Sequence, residues 1–172
     1  AITGITSSVE FKALTKEEPI IAVGSSSFYM NTKSGTFWER GRIGFGGTIT
    51  FNGVGVGNSV HSPNVYAMAA GDFASLARAV AIGNSISTWT PIDLKEQRQI
   101  PAIGQVLTVD STYQGNFQDV IWEGVTNTWV AVGAAGSIFT AVGLTTAEAF
   151  SQYSGTLQQL NAVTFGQSEF IA

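Results

Sequence analysis

The sequence predicts a mostly β fold. Three antiparallel units of about 50 residues follow one another in a single domain spanning 1–172, with one short helix inserted near 73–82. Three observations predict this. An apolar strand that ends at a glycine recurs as Ile20-Ile21-Ala22-Val23-Gly24, Val65-Tyr66-Ala67-Met68-Ala69-Ala70-Gly71 and Thr128-Trp129-Val130-Ala131-Val132-Gly133. A second signal recurs as Phe51-Asn52-Gly53-Val54, Phe117-Gln118-Asp119-Val120 and Leu160-Asn161-Ala162-Val163: an apolar anchor, a polar residue that turns out, then an apolar residue of the next core strand. The two ends also match, because Phe170-Ile171-Ala172 lines up with Ile20-Ile21-Ala22.

In chain order, Val9, Phe11 and Ala13 alternate with polar or charged neighbours, which predicts a strand. Thr15 to Pro19 reads as a charged turn, and Ile20 to Val23 as a buried strand. Alternate glycines at Gly53, Gly55 and Gly57 leave one face of a strand bare, which suits close approach of another strand or subunit. Asp72 to Gly83 places Phe73, Leu76, Ala77 and Val80 at helical spacing, with Asp72 as N-cap and Gly83 as stop, and predicts the helix. Ile92 to Ile103 is polar, with Pro91 and Pro101 at its edges, and reads as the longest exposed loop. One or two helical turns are expected over Thr146 to Tyr153. Leu160 to Phe165 and Phe170 to Ala172 read as strands around a Gly166-Gln167-Ser168 turn.

After each glycine-ended strand comes a stretch closing on an aromatic: Asn31-Thr32-Lys33-Ser34-Gly35-Thr36-Phe37-Trp38, then Gly83 to Trp89, then Gly143 to Phe150. With the strand signals, this pattern resembles the repeat of β-propellers related to photosystem II stability factors and to the Asp-box (BNR) repeats of sialidases, which also occurs in bacteriophage virion proteins. In the first copy Asn31 and Lys33 stand where that repeat has Ser and Asp, while Gly35 and Trp38 match it; in the second, Asn84 and Trp89 match. The resemblance implies propeller-blade-like units, each unable to bury both faces without a neighbour. Propellers close with about 4–8 blades. Three units therefore imply an incomplete propeller whose copies share a core, a sandwich or barrel with drifted hairpins, or a piece of a longer polypeptide.

Composition narrows the function. Of 172 residues, 44% are apolar and only 12% charged, where roughly 25% is usual. Such a surface suits extensive contact or a Ser/Thr/Asn/Gln coat. A net charge of −4 argues against nucleic-acid partners. All eight Lys and Arg lie at or before Arg98, whereas residues 99–172 carry five acidic groups and no basic one, an asymmetry that favours head-to-tail contact between copies. The absence of cysteine removes disulfides and thiolate metal sites. No apolar run is long enough to span a membrane, and no stretch has the basic-then-apolar pattern of a secretory leader.

No catalytic constellation, cofactor motif or metal set is visible. His61, the single histidine, sits in a turn-rich loop with Ser59 and Ser62 and reads as a surface residue. Sialidase-type chemistry needs clustered arginines and a Tyr/Glu nucleophile pair. Arg40 and Arg42 lie two apart on one strand, but no such pair is seen. Candidate interface residues are Arg40, Arg42, Gly53, Gly55, Arg98, Asp110 and Glu123, and candidate sugar-stacking residues are Trp38, Trp89 and Trp122. The expected function is that of a non-enzymatic structural virion protein, a bacteriophage capsid decoration or tail component. Its expected partners are other virion proteins and copies of itself. The alternative is a carbohydrate-binding or host-recognition module that contacts a surface glycan.

Overall fold

A computed structural model describes residues 2–7, 20–32, 38–44, 48–59, 62–82, 85–86, 88–100 and 105–172. The first sheet runs β1 (Ile2–Ser7), β2 (Ile20–Gly24), β3 (Phe28–Thr32), β4 (Glu39–Arg42). In the second, β5 (Phe51–Ser59), β6 (Ser62–Gly71), β7 (Ser75–Ile82) and β8 (Ser85–Ile86) lie in chain order, and β9 (Thr90–Pro91) also pairs with β7. The third contains β10 (Asp93–Ile100), β11 (Gln105–Asp110), β12 (Phe117–Glu123), β13 (Thr128–Gly133), β14 (Ile138–Val142) and β15 (Glu148–Gln152), in the order β11-β10-β15-β14-β13-β12. Finally β16 (Thr164–Gly166) pairs with β17 (Glu169–Ile171). Among the described residues every pair is antiparallel except β10 with β15, and the sheets close no barrel or propeller.

The recurrent sequence signals fold alike. The first ladder pairs Ile2 with Gly24, then Gly4 with Val23, leaving Thr3 as an extra residue. The second pairs Phe51 with Gly71, then Gly53 with Ala70, leaving Asn52; the third pairs Phe117 with Gly133, then Asp119 with Val132, leaving Gln118. These are β-bulges at equivalent positions, and a bulge frees one side chain from the pleat. The closing glycine has a steric cause. A Cβ on Gly71 would lie 2.3 Å from the Thr50 carbonyl oxygen, and one on Gly133 2.2 Å from that of Asn116. Each hairpin then reverses through three residues, the last two left-handed: Ser26 and Ser27 at φ 60° and 58°, Phe73 and Ala74 at 54° and 57°, Ala135 and Gly136 at 54° and 68°.

The units stack face to face in chain order. Ile21 and Val23 of the first sheet meet Phe51, Val54, Ala67, Ala69, Ala77 and Ala79 of the second. The opposite face of the second sheet, with Tyr66, Met68, Ala70 and Leu76, meets Phe117, Val120, Trp129, Ala131, Phe139 and Ala141 of the third. Val130 and Val132, on the far side of the third sheet, meet Leu160 and Val163. Alternation along each strand sends successive side chains to opposite neighbours, so the stacked strands of the second and third sheets are apolar on both faces.

Three expectations are corrected. The segment 73–82 is not a helix: Asp72 to Ala74 form a turn and Ser75–Ile82 is strand β7. The Leu76–Val80 spacing imitated a helix because β7 is buried on both faces, Leu76 against the third sheet and Ala77 and Ala79 against the first. Phe73, counted as the first helical position, is a turn residue 70% exposed. The expected loop over 92–103 instead carries β10, whose backbone is paired on both edges although most of its side chains are polar. Thr146 to Tyr153 contains β15 rather than helical turns. The strand expected over 9–13 and the turn over 15–19 lie outside the described residues, as does His61.

Candidate functional site

Two features arise from the stacking: a polar cleft where the bulges converge, and an apolar groove on the far face of the third sheet. The cleft, about 610 Å³, is lined by Thr3, Gly4, Asn52, Gly53, Val54, Gln118, Asp119 and Asn161. Six of these belong to the three copies of the second signal, and Thr3 and Gly4 sit at the equivalent bulge of the first ladder; packing of β1 on β5 and of β5 on β12 brings them together. The bulge side chains link neighbouring units. The Thr3 hydroxyl donates to the carbonyl of Phe51, and the Asn52 amide donates to the carbonyl of Phe117 at 2.8 Å and to Asp72 at 3.1 Å. In the third unit the bulge residue is Gln118 and the link is made by the next residue, Asp119, its carboxylate accepting from the Val120 amide at 2.9 Å and the Val163 amide at 3.0 Å. Thr3, Asn52 and Asp119 thus each tether one unit to the next. The recurrence of the second signal was legible in the sequence, but these hydrogen-bond partners, more than forty residues away in each case, were not.

The groove, about 280 Å³, is lined by Val130, Val132, Ile138 and Thr140 on the third sheet, by Leu160, Val163, Phe170 and Ala172 opposite, and by Ser154 and Thr156 at one end. β16 and β17 cover only part of this sheet face.

The residues singled out from sequence do not assemble into one patch. Arg40 and Arg42 lie exposed on β4, with the Arg42 guanidinium 4.9 Å from the Phe28 ring centroid. Gly53 and Gly55 are buried, and the close approach they permit is to β12 of the same chain. A Cβ on Gly53 would lie 2.6 Å from the Asp119 Cα, and one on Gly55 2.7 Å from the Val120 oxygen. Arg98 is exposed and pairs with Glu96 at 3.0 Å; Asp110 pairs with Lys95 at 2.7 Å. The hydrogen bond to Asp110 holds the Lys95 ammonium above its ordinary pKa. The Ser111 hydroxyl, Arg98 and the Thr112 amide hold Glu96 below the usual carboxylate range. Lys95 and Asp110 bind β10 to β11 and Glu96 ties β10 to Ser111 and Thr112, whereas the Arg98–Glu96 pair lies within β10.

Glu123 is only 6% exposed and serves a turn. It accepts from the Val125 and Thr126 amides at 2.7 and 2.5 Å and from the Thr126 hydroxyl at 2.6 Å. Burial works against its charged form, but these donors prevail and lower its pKa. Of the three tryptophans, Trp38 is 38% exposed, Trp89 is 4% exposed against Tyr29, and Trp122 packs on Trp129 at 5.0 Å between centroids. The indole N–H groups of Trp89 and Trp122 are buried without a hydrogen-bond partner. They act here as packing surfaces.

Among the described residues no group of three or more His, Asp or Glu side chains is placed to hold a metal ion, and no helix is long and apolar enough to cross a membrane. Comparison with protein families, curated proteins and solved structures finds no match for this chain.

Proposed function

We propose that this chain is a non-enzymatic structural protein of a bacteriophage virion, a capsid decoration or tail component, built as an open stack of propeller-like blades. One observation carries the assembly part of this reading: the stack ends on a sheet face that is apolar yet only partly covered. The first and second sheets each bury the equivalent face completely enough to form a continuous core with the next sheet. An apolar sheet face that is only partly covered is suited to extend that stacking to other subunits. The virion setting rests on the resemblance of the repeats to those of phage proteins, supported by the low charge.

Two measurements test it. Light scattering of the purified chain across a wide concentration range is expected to show association. Peptide mass spectrometry of density-purified particles from the source culture is expected to find the chain at a fixed ratio to the capsid protein. A monomer at every concentration together with absence from particles would sink the proposal. The carbohydrate-binding alternative has one specific support, the exposed ring of Trp38. It predicts glycan-array binding that disappears in Trp38→Ala.

A further inference from the structure

We infer that the polar cleft along the bulges is a binding site for a neutral, extended oligosaccharide. The inference goes beyond the assembly reading and does not depend on it. It also stands apart from the Trp38 alternative, because Trp38 is not among the residues that line the cleft.

The cleft follows from the way the units meet. Gly4 and Gly53 let the inner strands come together: a Cβ on Gly4 would lie 2.7 Å from the Asn52 carbonyl oxygen, and one on Gly53 2.6 Å from the Asp119 Cα. The bulge residues Thr3, Asn52 and Gln118, one from each of the three stacked sheets, therefore line one continuous cleft. Asp119 stands beside Gln118, and Asn161 extends the lining beyond the third sheet. A lining that crosses three units fits an elongated ligand. Its volume, about 610 Å³, lies within the roughly 300–1,000 Å³ of small-molecule sites.

The chemistry of the lining selects the class of ligand. Among the described residues that line the cleft, Asp119 alone is ionisable. No Lys or Arg there attracts an anion, and the Asp119 carboxylate repels one. Both carboxylate oxygens already accept backbone amides, from Val120 and Val163. A calcium ion, which takes about 6–8 oxygen ligands, finds no second carboxylate in this lining.

What remains is a set of neutral donors and acceptors. Asn52 spends its amide nitrogen on Phe117 and Asp72, which leaves its side-chain carbonyl as an acceptor. Asn161 is the converse: its carbonyl accepts from the Gln159 amide at 2.6 Å, which leaves its nitrogen as a donor. Gln118 is half-buried, makes no side-chain hydrogen bond among the described residues and offers both kinds of group. A sugar hydroxyl both donates and accepts, so neighbouring hydroxyls can use donors and acceptors mixed in this way. Asn52, Asp119 and Asn161 are already held by bonds within the chain, so binding orders few side chains.

A polypeptide is the competing occupant, since among the described residues β1, β5 and β12 are each paired on one edge only. The bulges interrupt all three of these strands at the cleft, and a bulge breaks the regular ladder that an added strand needs.

Isothermal titration calorimetry on the whole chain tests the site. The neutral probes are maltohexaose, cellopentaose, mannohexaose and N-acetylated chitohexaose; the anionic comparator is hexagalacturonate. At least one neutral probe is expected to bind saturably, and hexagalacturonate about tenfold more weakly or not at all. Gln118→Ala and Asn161→Ala are each expected to weaken that binding by about tenfold. Neither side chain links two units, so melting curves of both variants should match the parent. Trp38→Ala should leave the affinity unchanged. Three outcomes overturn the inference: no saturable binding of any neutral probe, equal or tighter binding of hexagalacturonate, or loss in Trp38→Ala with none in the cleft variants. A polyserine decapeptide titrated in parallel is expected not to bind; if it binds and the sugars do not, the cleft belongs to a polypeptide. Self-association and particle composition are measured separately, so failure here and failure of the virion reading are distinguishable.

Discussion

At the scale of single residues, the hairpin glycines are the least replaceable positions. Gly133→Ala puts a methyl against the Asn116 carbonyl oxygen, an unyielding backbone atom of the paired strand. Chemical denaturation is expected to show a loss of about 1–3 kcal/mol or more. Gly44→Ala, where an added Cβ meets nothing within 4 Å, should stay within about 0.5 kcal/mol of the parent. Glu123 supplies a pH-dependent counterpart. Its folded pKa is depressed, so its contribution is present above the unfolded carboxylate value and is lost as pH falls through the folded one. The stability advantage of the parent over Glu123→Gln should be full at neutral pH and shrink on acidification through that window. A constant gap across denaturation curves at several pH values would refute this. The sequence signalled the glycines by repetition, but gave no sign that Glu123 would be held by a turn it helps to form.

At the scale of elements, the three hairpin reversals share a backbone conformation with little shared sequence: Ser25-Ser26-Ser27, Asp72-Phe73-Ala74 and Ala134-Ala135-Gly136. Only the third places glycine at a left-handed position. Left-handed backbone at a non-glycine residue costs about 1–2 kcal/mol. Phe73 is exposed at φ 54°, so its side chain repays little of that cost. Phe73→Gly is expected to raise stability by about 1 kcal/mol, read as a higher denaturation midpoint at unchanged slope. An unchanged or lowered midpoint would show that the turn is held without strain. These turns explain part of what the sequence concealed. Asp72 before an apolar run looks like an N-cap, yet its amide donates to the Thr50 carbonyl at 2.9 Å and its carboxylate accepts from Asn52. The chain reverses there because a neighbouring strand receives it.

At the scale of the whole molecule, stability is graded along the stack. β6 lies between two strands and between two sheets, and Val65 to Gly71 is buried throughout. β16 and β17 form a two-stranded sheet against one face. Amide hydrogen exchange is expected to be slowest in β6, approaching the global unfolding limit, and fastest in β16 and β17. Equal protection at both places would mean that the open end is as well supported as the middle. The Asn52 link to Phe117 and the Asp119 link to Val163 cross between successive units, so the middle of the stack is expected to unfold as one cooperative body.

The sequence by itself determined the β class, the recurrence of a glycine-ended strand and the polar residue that precedes each inner strand. Those signals are local: a two-residue alternation, a position with no room for a Cβ and a bulge each leave their mark within a few neighbouring residues. Only the tertiary structure decided that Ser75–Ile82 is a strand, because a segment apolar on both faces has no period of its own until sheets cover each side. Only the tertiary structure showed that Gly53 and Gly55 admit β12 of the same chain, and that Arg98 is spent on Glu96 of its own strand and Asp110 on Lys95 of the neighbouring one. The match between 170–172 and 20–22 announced a further hairpin, but that Phe170 and Ala172 face an unfilled groove follows from their register against the third sheet, a relation between residues distant in the chain.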